Sequence, residues 1–247
     1  MAEFKYDLYV SIGEACSCSL TLRNAKLQFY SYPLDWVSGA DITERAKFFK
    51  NNFENYIDKQ DLIYAGEDRS AFCKAYHNTK NKITFNHDFK NDVDFDEMYP
   101  KVLEKYKRRA ERVIRQIKES EKVMFVYIQS PDNPQKMSDE KLIEVQKSLK
   151  ETFPEVKTDL LYLFCEKGIK FNKMKKKVIS ENIKELIFDY DGRNPKLTYV
   201  VNSKILDKVF RHFSITKKHL TEDNIEDMKK YKNKMFWRGK LLINPLT

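Results

Sequence analysis

The chain has 247 residues, 41% of them hydrophobic, and 46 Lys and Arg stand against 37 Asp and Glu for a formal net charge of +9. That apolar content suffices for one substantial core, so a single α/β domain over residues 1–247 is expected. The surface is charged in both signs and only moderately biased to positive. Its densest basic runs, Lys105-Tyr106-Lys107-Arg108-Arg109 and Lys173-Met174-Lys175-Lys176-Lys177, lack the interleaved aromatics of a single-strand stacking platform, which argues against nucleic acid as a partner. They read as solvated faces, with attraction of an anionic ligand as the alternative.

The opening Met1-Ala2-Glu3-Phe4-Lys5 carries acid and base and leads into no uninterrupted apolar stretch. Neither a secretory signal nor a membrane span is expected from it, and a cytoplasmic location is. Cysteines 16, 18, 73 and 165 do not have the spacing of a secreted disulfide framework.

In chain order, Tyr6 to Ile12 predicts a first strand and Glu14 to about Leu27 a first helix, with Gly13 breaking the chain between them. Phe29 to Trp36, with its proline and four aromatics, suits neither a helix interior nor a central strand and predicts an ordered loop. Thr43 to Tyr56 is helical, with Ala46, Phe49 and Phe53 on one face. Ala71–Tyr76 and Lys82–His87 flank the polar turn Asn78-Thr79-Lys80-Asn81 and predict a β-hairpin insertion over about residues 70–89. A long amphipathic helix from Phe95 to Ser120 keeps Leu103, Tyr106, Ala110, Val113, Ile114 and Ile117 on one side, which assigns the first basic run to solvent.

Beyond it, Lys122–Ile128, Thr158–Cys165 and Glu185–Phe188 are runs apolar on both faces. Helices alternate with them at Asp139–Phe153, opened by Ser138, and at Ser203–Phe213. The expectation is a three-layer fold: a mainly parallel central sheet with helices on both faces, the hairpin insertion, and a tail from about residue 215 to 247 packing back.

In such a sheet ligands bind beyond the carboxyl ends of the strands. That rule collects the Gly13–Cys16 turn, Gln129-Ser130-Pro131-Asp132-Asn133, Glu166-Lys167 and Asp189-Tyr190-Asp191; Ser11, Gly13, Glu14, Tyr32, Trp36, Ser130 and Asn133 are the candidate substrate contacts. Cys16 falls in the first turn of its helix, where unpaired amides and the helix dipole favour a thiolate, although the Glu14 carboxylate opposes it. Acyl chemistry at a thiol needs a base and a group to orient it. Of histidines 77, 87, 212 and 219, His87 ends a strand and is best placed to project into a site, while the others read as ordinary surface or helix-face residues. Asp88 is adjacent but points to the opposite strand face, and Asp35 in the aromatic loop is an equal candidate. Cys16 with Cys18, or Cys73 with His77, are spaced poorly for a shared ion, so no metal is expected; no cofactor is expected either.

Three segments then carry a resemblance: Val10-Ser11-Ile12-Gly13-Glu14-Ala15-Cys16 with Leu22-Arg23, Ser31-Tyr32-Pro33-Leu34-Asp35-Trp36, and Phe85-Asn86-His87-Asp88-Phe89. In that order they resemble the signature of a bacterial and viral family described as putative papain-like cysteine peptidases. The resemblance implies a Cys/His enzyme with Cys16 as nucleophile, His87 as base, and Asp35 and Asp88 as motif acids. It also suggests a setting close to surface-polysaccharide assembly, where such proteins are similar to acyl-transfer enzymes bearing a Gly-x-Cys turn after the first strand. Papain-type enzymes lack a central parallel strand before the catalytic helix. The order strand, Gly, Cys-bearing helix is therefore more similar to doubly wound hydrolases and acyltransferases. The combined expectation is Cys-dependent hydrolysis or acyl transfer at an amide, ester or thioester of a small molecule, glycan or peptide. The competing expectation is a non-catalytic protein that binds a nucleotide or glycan in the same crevice.

Overall fold

The computed structural model describes residues 4–68, 72–129, 133–166, 174–189 and 203–237. Its elements run β1 (Phe4–Tyr6), β2 (Leu8–Ser11), α1 (Cys16–Asn24), β3 (Val37–Gly39), α2 (Ile42–Lys50), β4 (Leu62–Asp68), β5 (Cys73–Asn78), β6 (Ile83–Lys90), α3 (Phe95–Glu119), β7 (Lys122–Ile128), α4 (Asp139–Thr152), β8 (Lys157–Glu166), β9 (Met174–Ser180), β10 (Ile183–Asp189), α5 (Ser203–Phe210), β11 (Phe213–Ile215) and α6 (Glu222–Trp237). This is a mixed α/β protein.

The five-stranded sheet has the order β2-β7-β8-β10-β9. Its first three pairings are parallel, with Leu8 opposite Val123, Val123 opposite Thr158, and Ile183 opposite Leu160, and only the edge strand β9 runs antiparallel. Alternate residues leave a strand on opposite sides. Leu8, Val10, Ile12, Val123, Phe125, Tyr127, Leu160 and Tyr162 accordingly join one buried cluster with the apolar stripes of α2, α3 and α4. Tyr9, Met124, Val126, Ile128, Leu161 and Leu163 join another with Cys18 and Leu22 of α1 and Ile205, Leu206 and Val209 of α5. Strands that feed two cores must be apolar throughout, which is why these runs stand out in the sequence.

Several expectations change. The hairpin is no free-standing insertion: β5 and β6 are the inner strands of a four-stranded antiparallel sheet ordered β3-β6-β5-β4, and Ile83, Phe85 and Phe89 lie in the first cluster. The second helix stops at Lys50 rather than Tyr56, because Asn52, Phe53 and Asn55 take left-handed backbone (φ +52°, +59° and +53°) and turn the chain. Phe53 still reaches the core, its ring 5.1 Å from that of Phe49. The helix expected over Ser203–Phe213 ends at Phe210. The second basic run contributes Lys175, Lys176 and Lys177 to the exposed edge strand β9, where charge discourages further strand pairing.

The expected first strand is divided at Asp7. Tyr6 and its neighbours pair with β11, and Leu8 onward with β7. The Asp7 carboxylate accepts from the amides of Glu121 (2.8 Å) and Lys122 (3.3 Å) and from the Thr216 hydroxyl (2.8 Å). Burial would raise its pKa, but these donors hold it below the usual value.

Candidate active site

The chain leaves β2 at Ser11 but keeps pairing with β7: the Ile12 amide donates to Val126 O (2.9 Å) and the Glu14 amide to Ile128 O (3.2 Å). Gly13 stands between them. A Cβ there would fall 2.3 Å from Cys18 Cβ and 3.3 Å from Ile128 N, so its bare backbone lets α1 sit directly on β7, where the Cys18 thiol donates to Val126 O at 3.2 Å. Gly13, expected as a substrate contact, thus answers first to packing. Burial pushes the Cys18 thiol up to about 11. Cys16 is the first residue of α1 and is half-buried, whereas cysteines 18, 73 and 165 are buried. Ala15 caps α1 without a side-chain hydrogen bond, and its first turn carries no acidic residue. The Glu14 amide is committed to Ile128, and the Cys18 amide to Ala15 O at 3.3 Å. Neither of these two amides is placed to serve a developing oxyanion.

Arg45, on α2, holds this turn from below. It is 0% exposed, and its guanidinium donates to the carbonyls of Glu14 (3.0 Å), Leu34 (3.4 Å), Val37 (3.4 Å), Gly39 (2.7 Å) and Ala40 (3.2 Å). One buried cation thereby ties the Cys16 turn to the end of the aromatic loop, and burial pulls its pKa below the usual value. Gly39 makes the clamp possible: it takes φ +83°, and a Cβ would lie 2.4 Å from Lys82 O. The sequence carries a signal for Arg45, since Ile42, Arg45, Ala46 and Phe49 share one helical face and a lone cation on an apolar stripe must find buried partners.

The aromatic loop folds around Asp35, whose side chain is fully buried. Asp35 Oδ2 accepts from the Tyr32 amide (2.7 Å) and Gln28 Nε2 (2.6 Å), with Arg23 Nη2 at 3.7 Å. Burial pushes this carboxyl up to about 6, against the pull of the Tyr32 amide, Gln28, Arg23 and Arg109. Tyr32, expected at the substrate, is buried instead and donates its hydroxyl to Gln116 Oε1 at 2.7 Å. Ser11 is likewise 0% exposed and belongs to the interior. Trp36 remains half-buried, its indole N–H donating to Ser31 Oγ (3.3 Å) and its ring lying 5.5 Å from the Arg23 guanidinium.

From Trp36 the chain enters β3, which pairs with β6 through Val37 opposite Phe85. His87 lies two residues past Phe85 and Asp35 two residues before Val37, at the same end of that ladder. Between Lys74 opposite Phe89 and Tyr76 opposite Phe85, β5 advances two residues while β6 advances four. His87 sits in the middle of this bulge and is exposed. Bulges re-aim side chains, and they recur beside active sites. Asp88 turns the other way: it is buried and accepts from Lys105 Nζ and, at 2.7 Å, from the Tyr106 hydroxyl, both on α3.

A second wall follows β7. Gln129 Nε2 donates to the carbonyls of Asn133 and Gln135 (both 2.8 Å) and Gln129 Oε1 accepts from Tyr162 (2.5 Å), which pins the loop so that Asn133 Nδ2 reaches Glu14 Oε1 at 3.2 Å. Two of the expected contacts, Glu14 and Asn133, are thus brought together; Ser130 lies outside the described residues. Among the other histidines, His219 is no surface residue. Its side chain is 6% exposed, with Nε2 2.9 Å from Ser120 Oγ, and burial lowers its pKa. Among the described residues no group of His, Cys, Asp and Glu is arranged to hold a metal ion.

Comparison with known proteins bears on the same stretch of chain. A protein of Acanthamoeba polyphaga mimivirus, described as uncharacterized, is 26% identical over 153 residues, covering 56% of this chain and 68% of its own length. No solved structure gives a significant match. Residues 7–168 match a family described as "putative papain-like cysteine peptidase", a span that starts at Asp7, where β1 gives way to β2, and closes just after β8. With about two thirds of its length inside that match, the chain belongs to this family.

Proposed function

We propose that the protein is a cysteine-nucleophile enzyme in which Cys16 attacks the carbonyl carbon of an amide, ester or thioester and His87 takes the thiol proton. The single observation that supports it best is the placing of Cys16: a half-buried thiol at the first position of an uncapped helix, at the carboxyl end of a parallel strand. The positive end of the helix favours a negative sulfur there. Arg45 adds a positive charge beneath the turn and offsets the cost of the nearby Glu14 carboxylate. Asp35 lies at the same ladder end as His87, but it is engaged by the Tyr32 amide and Gln28 as Asp88 is by Lys105 and Tyr106, so neither acid is assigned to orient the imidazole. Hydrolysis and transfer to a second nucleophile share this first step, and the parallel setting of β2 favours acyl chemistry in general over a papain-type peptidase. A role beside surface-polysaccharide assembly is the setting we assign to it.

The test is the pH dependence of Cys16 alkylation by iodoacetamide in the native protein. Cys16 should react at least about tenfold faster near neutral pH than an unperturbed thiol. Replacing His87 by Ala should remove that advantage, and replacing Cys16 by Ser should abolish turnover of an activated ester while leaving the far-ultraviolet dichroism unchanged. Ordinary thiol reactivity that ignores His87 would sink the dyad and leave a binding protein that uses the same crevice.

A further inference from the structure

The first basic run does not face solvent as a block. Lys107 and Arg108 are exposed, but Lys105 and Arg109 turn inward and are half-buried, with Arg112 one further helical step along the same face of α3. Lys105 is matched by Asp88. Arg109 stacks over Tyr106 with its guanidinium 5.3 Å from the ring, and its Nη1 is buried with no hydrogen-bond partner. Arg112 lies 5.4 Å from the Tyr30 ring and donates to Ser31 O at 3.4 Å. Across the loop, Arg23 donates to Ser31 Oγ (3.0 Å) and Ser19 Oγ (3.3 Å). Two guanidinium groups, those of Arg23 and Arg112, therefore converge on Ser31, and among the described residues the carboxylate beside them is Asp35, at 3.7 Å from Arg23 and close enough to Arg109 to feel its charge. Arginine forks fit phosphoryl oxygens, and the local surplus of two positive charges matches a dianion.

Arg23 is two turns along α1 from Cys16, at i and i+7, so both side chains leave the same face about 10 Å apart along the axis. We infer that the patch formed by Arg23, Arg109 and Arg112 binds a phosphoryl group of the molecule whose acyl carbon meets Cys16; this rests on the catalytic reading above for the identity of the ligand, but not for the anion site itself. The substrate class is then a phosphorylated acyl donor or acceptor, its phosphate held about 10 Å from the reacting carbon.

The probe is inorganic pyrophosphate, titrated calorimetrically into the full chain at fixed ionic strength, with succinate as the carboxylate control. The expected result is saturable one-to-one binding that Arg112→Gln weakens by about tenfold, while Lys101→Gln, which removes one positive charge from an exposed position about three turns away on the same helix, changes it by less than about twofold. Arg23→Gln should repeat the loss, and if it unfolds the protein through its contacts to Asp35 and Ser31, Arg112→Gln decides. Non-saturable binding, equal losses in the Lys101 and Arg112 variants, or succinate binding as tightly as pyrophosphate would each overturn the site. Because Cys16→Ser should bind pyrophosphate as the wild type does, an inert Cys16 in a protein that still binds pyrophosphate condemns the nucleophile alone. A reactive Cys16 without anion binding condemns the subsite alone.

Discussion

Gly13 and Asp35 show how much one position controls near Cys16. Adding a methyl group at Gly13 drives it to 2.3 Å from Cys18 Cβ, and both the helix backbone and Ile128 N resist moving. Gly13→Ala should cost about 2–3 kcal/mol of stability by urea unfolding and displace Cys16 with the start of α1. Asp35 makes a pH-dependent contribution. Its folded pKa, about 6, lies above the usual 3.8, so its contribution to stability is full below the unfolded value and is lost as pH rises through 6. Two pK units correspond to roughly 3 kcal/mol at most. Unfolding free energy measured between pH 4 and 7 should fall with pH in the wild type, and Asp35→Asn should flatten that slope. Asp7, whose pKa is lowered, acts in the opposite sense, and its stabilisation is lost only as pH falls below the usual carboxylate range. At this scale the sequence shows residue types and not their partners: Tyr32 and Ser11 stand at candidate positions in the chain, and only the fold shows that both are buried.

Between elements, α2 is the part whose importance composition hides. It packs its apolar face on the core and at the same time sends Arg45 to carbonyls of two separate loops. Arg45→Met should destabilise by on the order of 3–5 kcal/mol, because several buried carbonyls lose their donor together. Arg45→Lys should recover part of this and keep the charge, so alkylation of Cys16 should track charge while stability tracks the fork. The same measurements on Arg115→Met, at an exposed position, should move by less than about 0.5 kcal/mol. The strands Lys122–Ile128, Lys157–Glu166 and Ile183–Asp189 were legible because a strand buried on two sides has no polar alternation to obscure it. β4 and β9 were not, since Gly66 interrupts one and lysines crowd the other, as edge strands tolerate. The bulge at His87 was invisible too, because it depends on how β5 pairs, and pairing is not written in the strand that bulges.

At the scale of the whole molecule, a mainly parallel sheet whose first strand leads into the Cys16 turn and an antiparallel sheet that carries His87 are joined through the shared cluster around Phe85, Tyr106, Val10 and Phe125. No helix among the described residues is long and apolar enough to cross a membrane. One joint remains distinctive: the division at Asp7 hands Phe4–Tyr6 to β11, a three-residue pairing that sets Phe4 opposite Phe213, more than two hundred residues later in the chain. Closing so long a loop for so few backbone bonds is entropically expensive, so this pair should form last in folding and open first in the native state. Amide hydrogen exchange should find β1 and β11 losing protection well before β7 and β8, with Asp7→Ala bringing that opening forward while the central strands keep theirs. A protein built this way carries a slow latch over a fast core, and its earliest excursions from the native state should expose Tyr6 and Tyr9 while leaving the Cys16 turn in place.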